Sequence, residues 1–214
     1  LTFHLIMLIL VINCGSSSIK YELFDISAGK ESFLTKGRIE RIGEAGSFLI
    51  YPKGNSVFKK KVLCSNHYKA VKIVKEILTD KYAGILKDIN EIRGIGHRIV
   101  HGGEDFQEAS VITKKVIGVL EKYNELAPLH NPPSLLGIKA CLKEFTGSLQ
   151  VGVFDTAFFQ TMPEHAYIYG LPYKFYKKYS IRRFGFHGTS HKFVAYEAAK
   201  RLRRPLNKLK LITC

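Results

Sequence analysis

The chain has 214 residues, 46% hydrophobic and 24% charged, which is an ordinary composition for a folded soluble protein. Thirty-three lysines and arginines against 18 acidic residues give a formal net charge of +15, a balance that can mark nucleic-acid binding. The basic residues are dispersed in short groups, however, and no nucleic-acid motif is present. We therefore expect a solvated basic surface and no nucleic-acid partner, with a field that would favour a small anionic substrate.

The cysteines and the apolar N-terminus indicate the compartment. Four scattered cysteines show no Cys-x-x-Cys and no metal-type spacing, and no Asn-x-Ser/Thr acceptor occurs. Both features favour a reducing cytoplasm. Residues 1–12 are strongly apolar but shorter than the roughly 20 residues that span a bilayer. No basic segment precedes them, as a signal peptide would require, so we expect a cytoplasmic protein without a membrane partner.

The first half of the chain predicts three strands and a helix. Leu5–Ile12 is apolar throughout and predicts a central strand that is buried on both faces. Ile19–Phe24 alternates like a hairpin partner, and Phe33–Ile42 predicts a third strand. Gly43–Asn55 contains glycine and proline and predicts a loop that leaves room for a short edge strand. Apolar residues at helical spacing predict a helix over His67–Thr79.

The second half alternates strands and helices, which predicts an α/β fold with a mixed sheet. The chain ends inside an apolar segment, so we expect the sequence to be cut short. In chain order, the pattern first predicts a strand over Ile92–Val100 and a helix over Lys114–Leu126. A second helix is predicted to start at Asn131, and its core face would comprise Leu135, Ile138, Leu142 and Phe145. A strand over Leu149–Phe154, a helix capped by Ser190 that runs to about Arg203, and a strand over Leu209–Thr213 follow.

The most informative segment is Phe184–His191, which reads Phe-Gly-Phe-His-Gly-Thr-Ser-His. Asp155 follows the predicted strand that ends at Phe154, and strand ends are where α/β sheets present catalytic groups. His187 lies in a glycine-flanked loop that permits close ligand approach. An imidazole and a carboxylate so placed suit chemistry on an anionic substrate. A buried histidine and a helix-capping aspartate explain this segment equally well when it is taken alone.

A small polar turn follows the first predicted strand. Asn13 precedes Cys14 and the run Gly15–Ser18, whose backbone N–H groups and hydroxyls suit a phosphate. The turn is not a P-loop, because the lysine and the following helix are missing, and no dinucleotide fingerprint occurs. An ordinary Ser/Gly hairpin is the alternative interpretation.

Two further residues suit substrate binding. Arg98 lies late in a predicted strand, before Gly102 and Gly103, and its guanidinium can bind a carboxylate or phosphate through two parallel hydrogen bonds. A surface arginine paired with Glu104 or Asp105 is the alternative. His130 lies in a proline-bracketed loop, where a histidine that merely bonds nearby backbone is favoured.

Taken together, these segments resemble one family. The sequence is similar to acetate kinases, which belong to the acetate and sugar kinase branch of the actin-like ATPase superfamily. Butyrate kinases differ in the first serine turn, whereas propionate kinases are too similar to separate. The stretches that carry the resemblance, in family order and spacing, are Val11–Lys20, Gly96–Glu104, Glu125–Gly137, Val153–Pro163 and Arg183–His191.

The resemblance implies an architecture and a reaction. Residues 1–154 would form the first, acetate- and phosphoryl-side lobe of an actin-like (ribonuclease H-like) fold, and residues 155–214 would start an incomplete nucleotide-binding lobe. The implied activity is reversible, Mg²⁺-dependent phosphoryl transfer from ATP to acetate, giving acetyl phosphate. Full-length members are expected to be homodimers. Since the ATP-gripping half would follow Cys214, we expect this chain alone to be inactive.

The resemblance also assigns roles to individual residues. Asn13 would help to place Mg²⁺, with Ser16 and Ser18 facing phosphate. Asp155 would orient substrate or metal. The remaining assignments are Arg98 for the carboxylate or the phosphoryl group, Val100 and Leu129 for the methyl pocket, and His130 and His187 for charge on the phosphoryl group in transfer.

One residue departs from the family, and one alternative remains open. Phe159 stands where family members usually have histidine, and it cannot donate a hydrogen bond. A non-catalytic, polyanion-binding fragment that keeps the fold is the rival interpretation, favoured by the charge of +15. A propionate or butyrate kinase relative is a further alternative.

Overall fold

The computed structural model describes residues 7–214, apart from the side chain of Ala28. The strands are β1 (Leu8–Cys14), β2 (Ser18–Asp25), β3 (Ser32–Glu40), β4 (Phe48–Lys53), β5 (Ser56–Lys61), β6 (Ile92–Ile99), β7 (Ser110–Val111) and β8 (Leu149–Phe154). The helices are α1 (His67–Leu78), α2 (Lys114–Lys122), α3 (Asn131–Glu144), α4 (Glu164–Tyr167), α5 (Lys174–Tyr179) and α6 (Gly188–Leu202).

The eight strands form one mixed sheet in the order β5-β4-β3-β2-β1-β6-β8-β7. Strands β1 to β5 pair in succession as an antiparallel meander. The central strand β1 also pairs with β6 in parallel, after a crossover through α1. The predicted α/β class with a mixed sheet is therefore confirmed.

The described chain forms two compact units. The first comprises the residues up to Ile99 together with Ser110–Gly152, and the second comprises Val100–Ala109 and Val153–Cys214. The lobe boundary expected at residue 154 stays a prediction. No helix in residues 7–214 is long and apolar enough to cross a membrane.

The core of the first unit lies between the sheet and helices α1 and α3. Alternate residues of β1 are buried, including Leu10 and Ile12, whereas Val11 on the opposite face is 38% exposed. The prediction that β1 is buried on both faces was therefore wrong. On its buried face, each leucine or isoleucine stabilises the fold by about 1.5–3 kcal/mol. Leu5 and Ile6, the first residues of that predicted strand, lie outside the described residues.

The predicted face of α3 is confirmed in part. Leu135 and Ile138 are buried, and Phe145 is buried just after the helix ends. Leu142 is 38% exposed, so its assignment to the core was wrong.

The segment Gly43–Asn55, predicted as a loop with room for a short strand, contains the strand β4, which forms a hairpin with β5 just after it. Strand β4 pairs with β5, with Lys53 opposite Ser56, so Gly54 and Asn55 form a two-residue turn. Gly54 has φ +57°, the left-handed conformation that such turns require. The prediction missed β5 because all of its residues are exposed, which removes the alternating pattern. Its lysines suit an edge strand that must not pair with another chain.

Predictions for two helices and for the last strand also differ from the structure. Helix α2 ends at Lys122, before the predicted Leu126. Helix α6 begins at Gly188, so Ser190 lies inside its first turn and does not cap it. Residues 209–213 are not a strand, because no strand among the described residues pairs with them.

A buried histidine makes the stability of the first unit pH-dependent. His97 in β6 is 2% exposed, and its Nε2 lies 2.7 Å from Gln150 Oε1, to which it donates. Burial lowers the pKa of His97 to about 4, and the hydrogen bond to Gln150 opposes this shift only in part. The folded unit therefore holds this imidazole neutral at physiological pH.

This histidine should destabilise the protein in mild acid. The unfolded chain binds the proton below about pH 6.5 and the folded chain only near pH 4, so stability falls as the pH drops through that window. Between pH 7 and pH 5 His97 should remove about 2 kcal/mol from the free energy of unfolding. His97→Gln keeps a donor for Gln150 but cannot titrate, so urea unfolding of this variant should show a shallower pH dependence. Equal slopes in the two proteins would contradict the assignment.

Candidate functional site

The serine turn, Gly15–Ser18, connects β1 to β2 and is held by backbone hydrogen bonds. The N–H of Gly15 donates to the carbonyl of Ser18 at 2.8 Å, which closes the turn. The N–H of Ile42 donates to the carbonyl of Ser17 at 2.9 Å. The hairpin predicted from the sequence is confirmed, and its one exposed serine is Ser16. The turn is therefore ordered without using the Ser16 hydroxyl.

Close packing fixes the strand that leads into this turn. A Cβ added at Gly137 in α3 would overlap Cys14 Sγ, so only glycine allows the helix to approach the end of β1. Burial raises the pKa of the Cys14 thiol to about 12, which keeps it neutral. Cys14 thus acts as an apolar filler, and Asn13 beside it is half-buried opposite Lys20 of β2.

The first unit contains a cleft of about 380 Å³ beside the serine turn. The structure brings Ser16 and Leu129 together on this cleft, as the phosphate and methyl-pocket assignments require. Leu129 is 72% exposed, so its side chain is available to a ligand. His130, the next residue, is also exposed and precedes the first residue of α3. The remaining lining residues are Ile42, Gly43, Ser65, Asn66, His67, Pro128, Pro132, Pro133 and Leu136.

Arg98 lies where the sequence predicted, one residue before the end of β6. It is half-buried, whereas Arg93 on the same strand is exposed. Since neighbouring residues of β6 such as Ile99 are fully buried, the backbone at this position is fixed by the core. A guanidinium on a rigid strand end can hold a planar anion with a defined orientation.

In the second unit, Asp155 directly follows β8 and is 1% exposed. Its Oδ1 accepts a hydrogen bond from Thr189 Oγ1 at 3.3 Å, and its backbone carbonyl accepts one from Gly188 N–H at 3.0 Å. Asp155 therefore ties the end of β8 to the first turn of α6. The predicted position of Asp155 at a strand end is confirmed. Its backbone carbonyl also accepts the N–H of Gly188, the first residue of α6, so the capping alternative is correct in part.

His187 immediately precedes α6 and has φ 55°, a left-handed conformation that is uncommon for residues other than glycine. Such a conformation costs roughly 1–3 kcal/mol and persists only where the surroundings impose it. A Cβ on Gly188 would overlap the carbonyl oxygen of Asp155, so this residue must be glycine. His187 is exposed, which rules out the alternative of a buried histidine. The fold therefore holds His187 exposed in a conformation that lowers stability.

The Phe159 ring packs against the loop that contains His187. A Cβ on Gly185 would overlap the Phe159 ring, and Gly185 has φ +77°. The ring also lies edge-on to His191, with centroids 6.0 Å apart. Phe159 therefore fills space under the His187 loop. Phenylalanine thus occupies this space but, unlike histidine, supplies no hydrogen-bond donor.

The segment that begins at Val100 is anchored to the residue after Asp155. The N–H of Gly102 donates to Thr156 Oγ1 at 3.0 Å. A Cβ on Gly102 would lie 2.8 Å from the Phe154 ring, which explains the glycine. His101 is buried edge-on against Phe184, and burial lowers its pKa to about 4. Val100 itself is half-buried at the start of this segment.

The second unit contains an ionic cluster that was not predicted from the sequence. Arg182 is 8% exposed, stacks on Tyr167 at 3.6 Å, and donates through Nη1 to Glu104 Oε1. Tyr176 donates its hydroxyl to the same oxygen at 3.0 Å. The sequence predicted a solvated surface for the basic residues in general, and the buried Arg182 is an exception to that prediction. The cluster fixes Glu104 at the end of the Gly102–Gly103 segment.

The described residues provide oxygen donors for magnesium but no complete metal cage. Within residues 7–214, no group of three or more His, Cys, Asp or Glu side chains is placed to hold a metal ion. Magnesium at phosphoryl-transfer sites usually takes one or two protein oxygens, with water and substrate phosphates completing the shell. The amide oxygen of Asn13 in the first unit and the carboxylate of Asp155 in the second unit are each an oxygen donor of that kind.

Comparison with known proteins shows the family of the chain. The model of the acetokinase family matches residues 8–214. The chain belongs to the acetokinase family. It is 54% identical over 209 residues to the acetate kinases of Carboxydothermus hydrogenoformans and Natranaerobius thermophilus, covering 97% of this chain and 52% of each relative. The chain therefore spans about half the length of these relatives.

Solved structures of this family share the fold. The crystal structure of Porphyromonas gingivalis acetate kinase superposes with a TM-score of 0.89 at 45% identity, covering 94% of this chain and 50% of that one. A propionate kinase from Francisella tularensis gives a TM-score of 0.85 at 36% identity, covering 92% and 50%. The chain therefore forms an α/β fold that matches about half of each of these kinase structures.

Proposed function

We propose that this chain supplies the acetate- and phosphoryl-side residues of an acetate kinase, which catalyses ATP + acetate ⇌ ADP + acetyl phosphate. The observation that carries the proposal is the 380 Å³ cleft in a chain of this family, with a hydroxyl at Ser16 and an apolar side chain at Leu129. Acetate offers one methyl group and one carboxylate, and a cleft lined by both apolar and polar residues suits such a molecule.

The roles of the remaining residues follow from their chemistry. Arg98 binds the acetate carboxylate or the phosphoryl group through its planar fork. Leu129 contacts the methyl group, and Val100 carries the same assignment from the family resemblance. Ser16 and Ser18 donate hydrogen bonds to phosphate oxygens. His130 and His187 stabilise the charge that develops on the phosphoryl group, and Asp155 orients the substrate or the metal.

The reaction suits residues of this type because phosphoryl transfer depends mainly on positioning and on electrostatic stabilisation. Magnesium, when bound, neutralises charge on the phosphate oxygens, and Asn13 is the residue proposed to help hold it. No strong base is required for an acetate nucleophile, which is already ionised at neutral pH. Rigid donors such as Arg98 on β6 and His187 before α6 supply the stabilisation instead.

A chimera tests the proposal. This chain would replace the matching segment of the Carboxydothermus hydrogenoformans acetate kinase, to which it is 54% identical. The chimera should release ADP and form acetyl phosphate when ATP, acetate and Mg²⁺ are all present, while the 214-residue chain alone forms none above background. A folded chimera that binds polyanions but shows no acetate-dependent ADP release would favour the non-catalytic rival.

Propionate is the second candidate substrate, since the chain is 36% identical to a propionate kinase. One methylene in an apolar pocket changes kcat/KM by roughly 10- to 200-fold. The ratio of kcat/KM for acetate and propionate in the chimera therefore decides between the two. We propose acetate, because the relatives that match at 54% identity are acetate kinases.

A further inference from the structure

His67 makes a contact with the serine turn that its place in the sequence does not suggest. It is the first residue of α1, 52 positions away from Gly15, and is 6% exposed. Its Nε2 lies 2.7 Å from the backbone carbonyl of Gly15, and because a carbonyl only accepts, Nε2 carries the proton and donates. The same residue lines the cleft that contains Ser16 and Leu129.

The geometry makes this bond the side-chain tether of the turn. Two further hydrogen bonds of the serine turn, Gly15 N–H to Ser18 and Ile42 N–H to Ser17, are made by backbone groups. Gly15 lacks a side chain that could anchor it, so its carbonyl would otherwise be free to reorient, which would rotate the adjoining Gly15–Ser16 peptide. Helix α1 is itself fixed, because Val71, Val74 and Leu78 are buried against the sheet.

We propose that His67 is a positioning residue for phosphoryl transfer, which holds the Gly15 carbonyl and thereby fixes the Ser16 N–H and hydroxyl for phosphate. This inference rests on the proposed function. It assigns no proton transfer to His67, whose Nε2 proton stays in the bond to Gly15. A displacement of a positioning group by about 1 Å can cost as much as 10²-fold in rate, so loss of the tether should act on kcat more than on acetate affinity.

Three substitutions separate the hydrogen bond from the bulk of the ring. Glutamine can place an amide N–H near the position of Nε2, asparagine is too short to do so, and alanine removes the donor. Lys72→Ala is the matched control, since Lys72 lies exposed on the same helix. His67→Gln should therefore behave like wild type, and His67→Asn should behave like His67→Ala.

Hydrogen exchange tests the tether without any assay of activity. The amide of Gly15, bonded to Ser18, and that of Ile42, bonded to Ser17, report on the order of the turn. In the chimera, His67→Ala and His67→Asn should raise exchange in the peptide that contains Gly15 by about tenfold, an increase expected when local structure opens more often. His67→Gln and Lys72→Ala should leave it unchanged. Unchanged exchange in His67→Ala would overturn the proposal.

The kinetic arm links the tether to the reaction. His67→Ala should lower kcat of the chimera by roughly 10- to 100-fold with little change in the KM for acetate, and His67→Gln should restore most of it. If exchange rises in His67→Ala while kcat is unaffected, the tether is structural and the positioning role is refuted. An inactive wild-type chimera refutes the proposed function instead, and the exchange experiment still decides whether His67 orders the turn.

Discussion

Replacing His187 with alanine in the chimera should lower kcat by roughly 10²-fold or more while changing KM little. That pattern is expected of a donor whose interaction strengthens in the transition state. The structure motivates it, since His187 is exposed, has φ 55° and directly precedes α6. The measurement is steady-state ADP release at varied acetate and ATP.

Two controls separate the chemistry of His187 from strain. His187→Gly removes the imidazole but accepts the left-handed backbone without cost, so an equal loss of kcat in this variant would trace the loss to the missing ring. Lys192→Ala alters an exposed residue of the same helix and should retain full activity. Near-wild-type kcat in both His187 variants would remove this residue from the mechanism.

Arg98→Lys should lose most of the activity although the charge is retained. Lysine cannot form the two parallel hydrogen bonds of a guanidinium, and a hydrogen bond to a charged group contributes about 1.5–3 kcal/mol. We expect kcat/KM for acetate to fall by about 10- to 100-fold, with the KM for acetate raised. Arg93→Lys, an exposed position on the same strand, is the matched control. If lysine at position 98 is tolerated as well as lysine at 93, Arg98 is not a substrate ligand.

The fold could be predicted where a local pattern determined the structure. Helix α1 matched its prediction to within a residue because apolar residues recur along one face and Asn66 caps its start. Strand β8 matched because an apolar run led into Asp155. Strand β5 was missed because an exposed edge strand has no hydrophobic pattern, and residues 209–213 were overpredicted because strand formation depends on a partner.

The sequence indicated which strand ends and loops carry the candidate residues, but not which side chains contact one another. Close ligand approach at Gly185 and Gly188 stays a prediction, and in the structure their absent side chains leave room for Phe159 and Asp155. The bond from His67 to Gly15 and the ion pair between Arg182 and Glu104 could not be foreseen, since each joins residues more than 50 positions apart. Only the packed sheet brings such partners together.

The central claim is that this chain contains the acetate side of an acetate kinase. The most direct test is an initial-rate grid of acetate against ATP, measured for the wild-type and Arg98→Lys chimeras. We expect turnover by the wild-type chimera to depend on both substrates. In the Arg98→Lys chimera, the KM for acetate should rise and the KM for ATP should stay nearly unchanged. A folded wild-type chimera whose ADP release is independent of acetate would contradict the account.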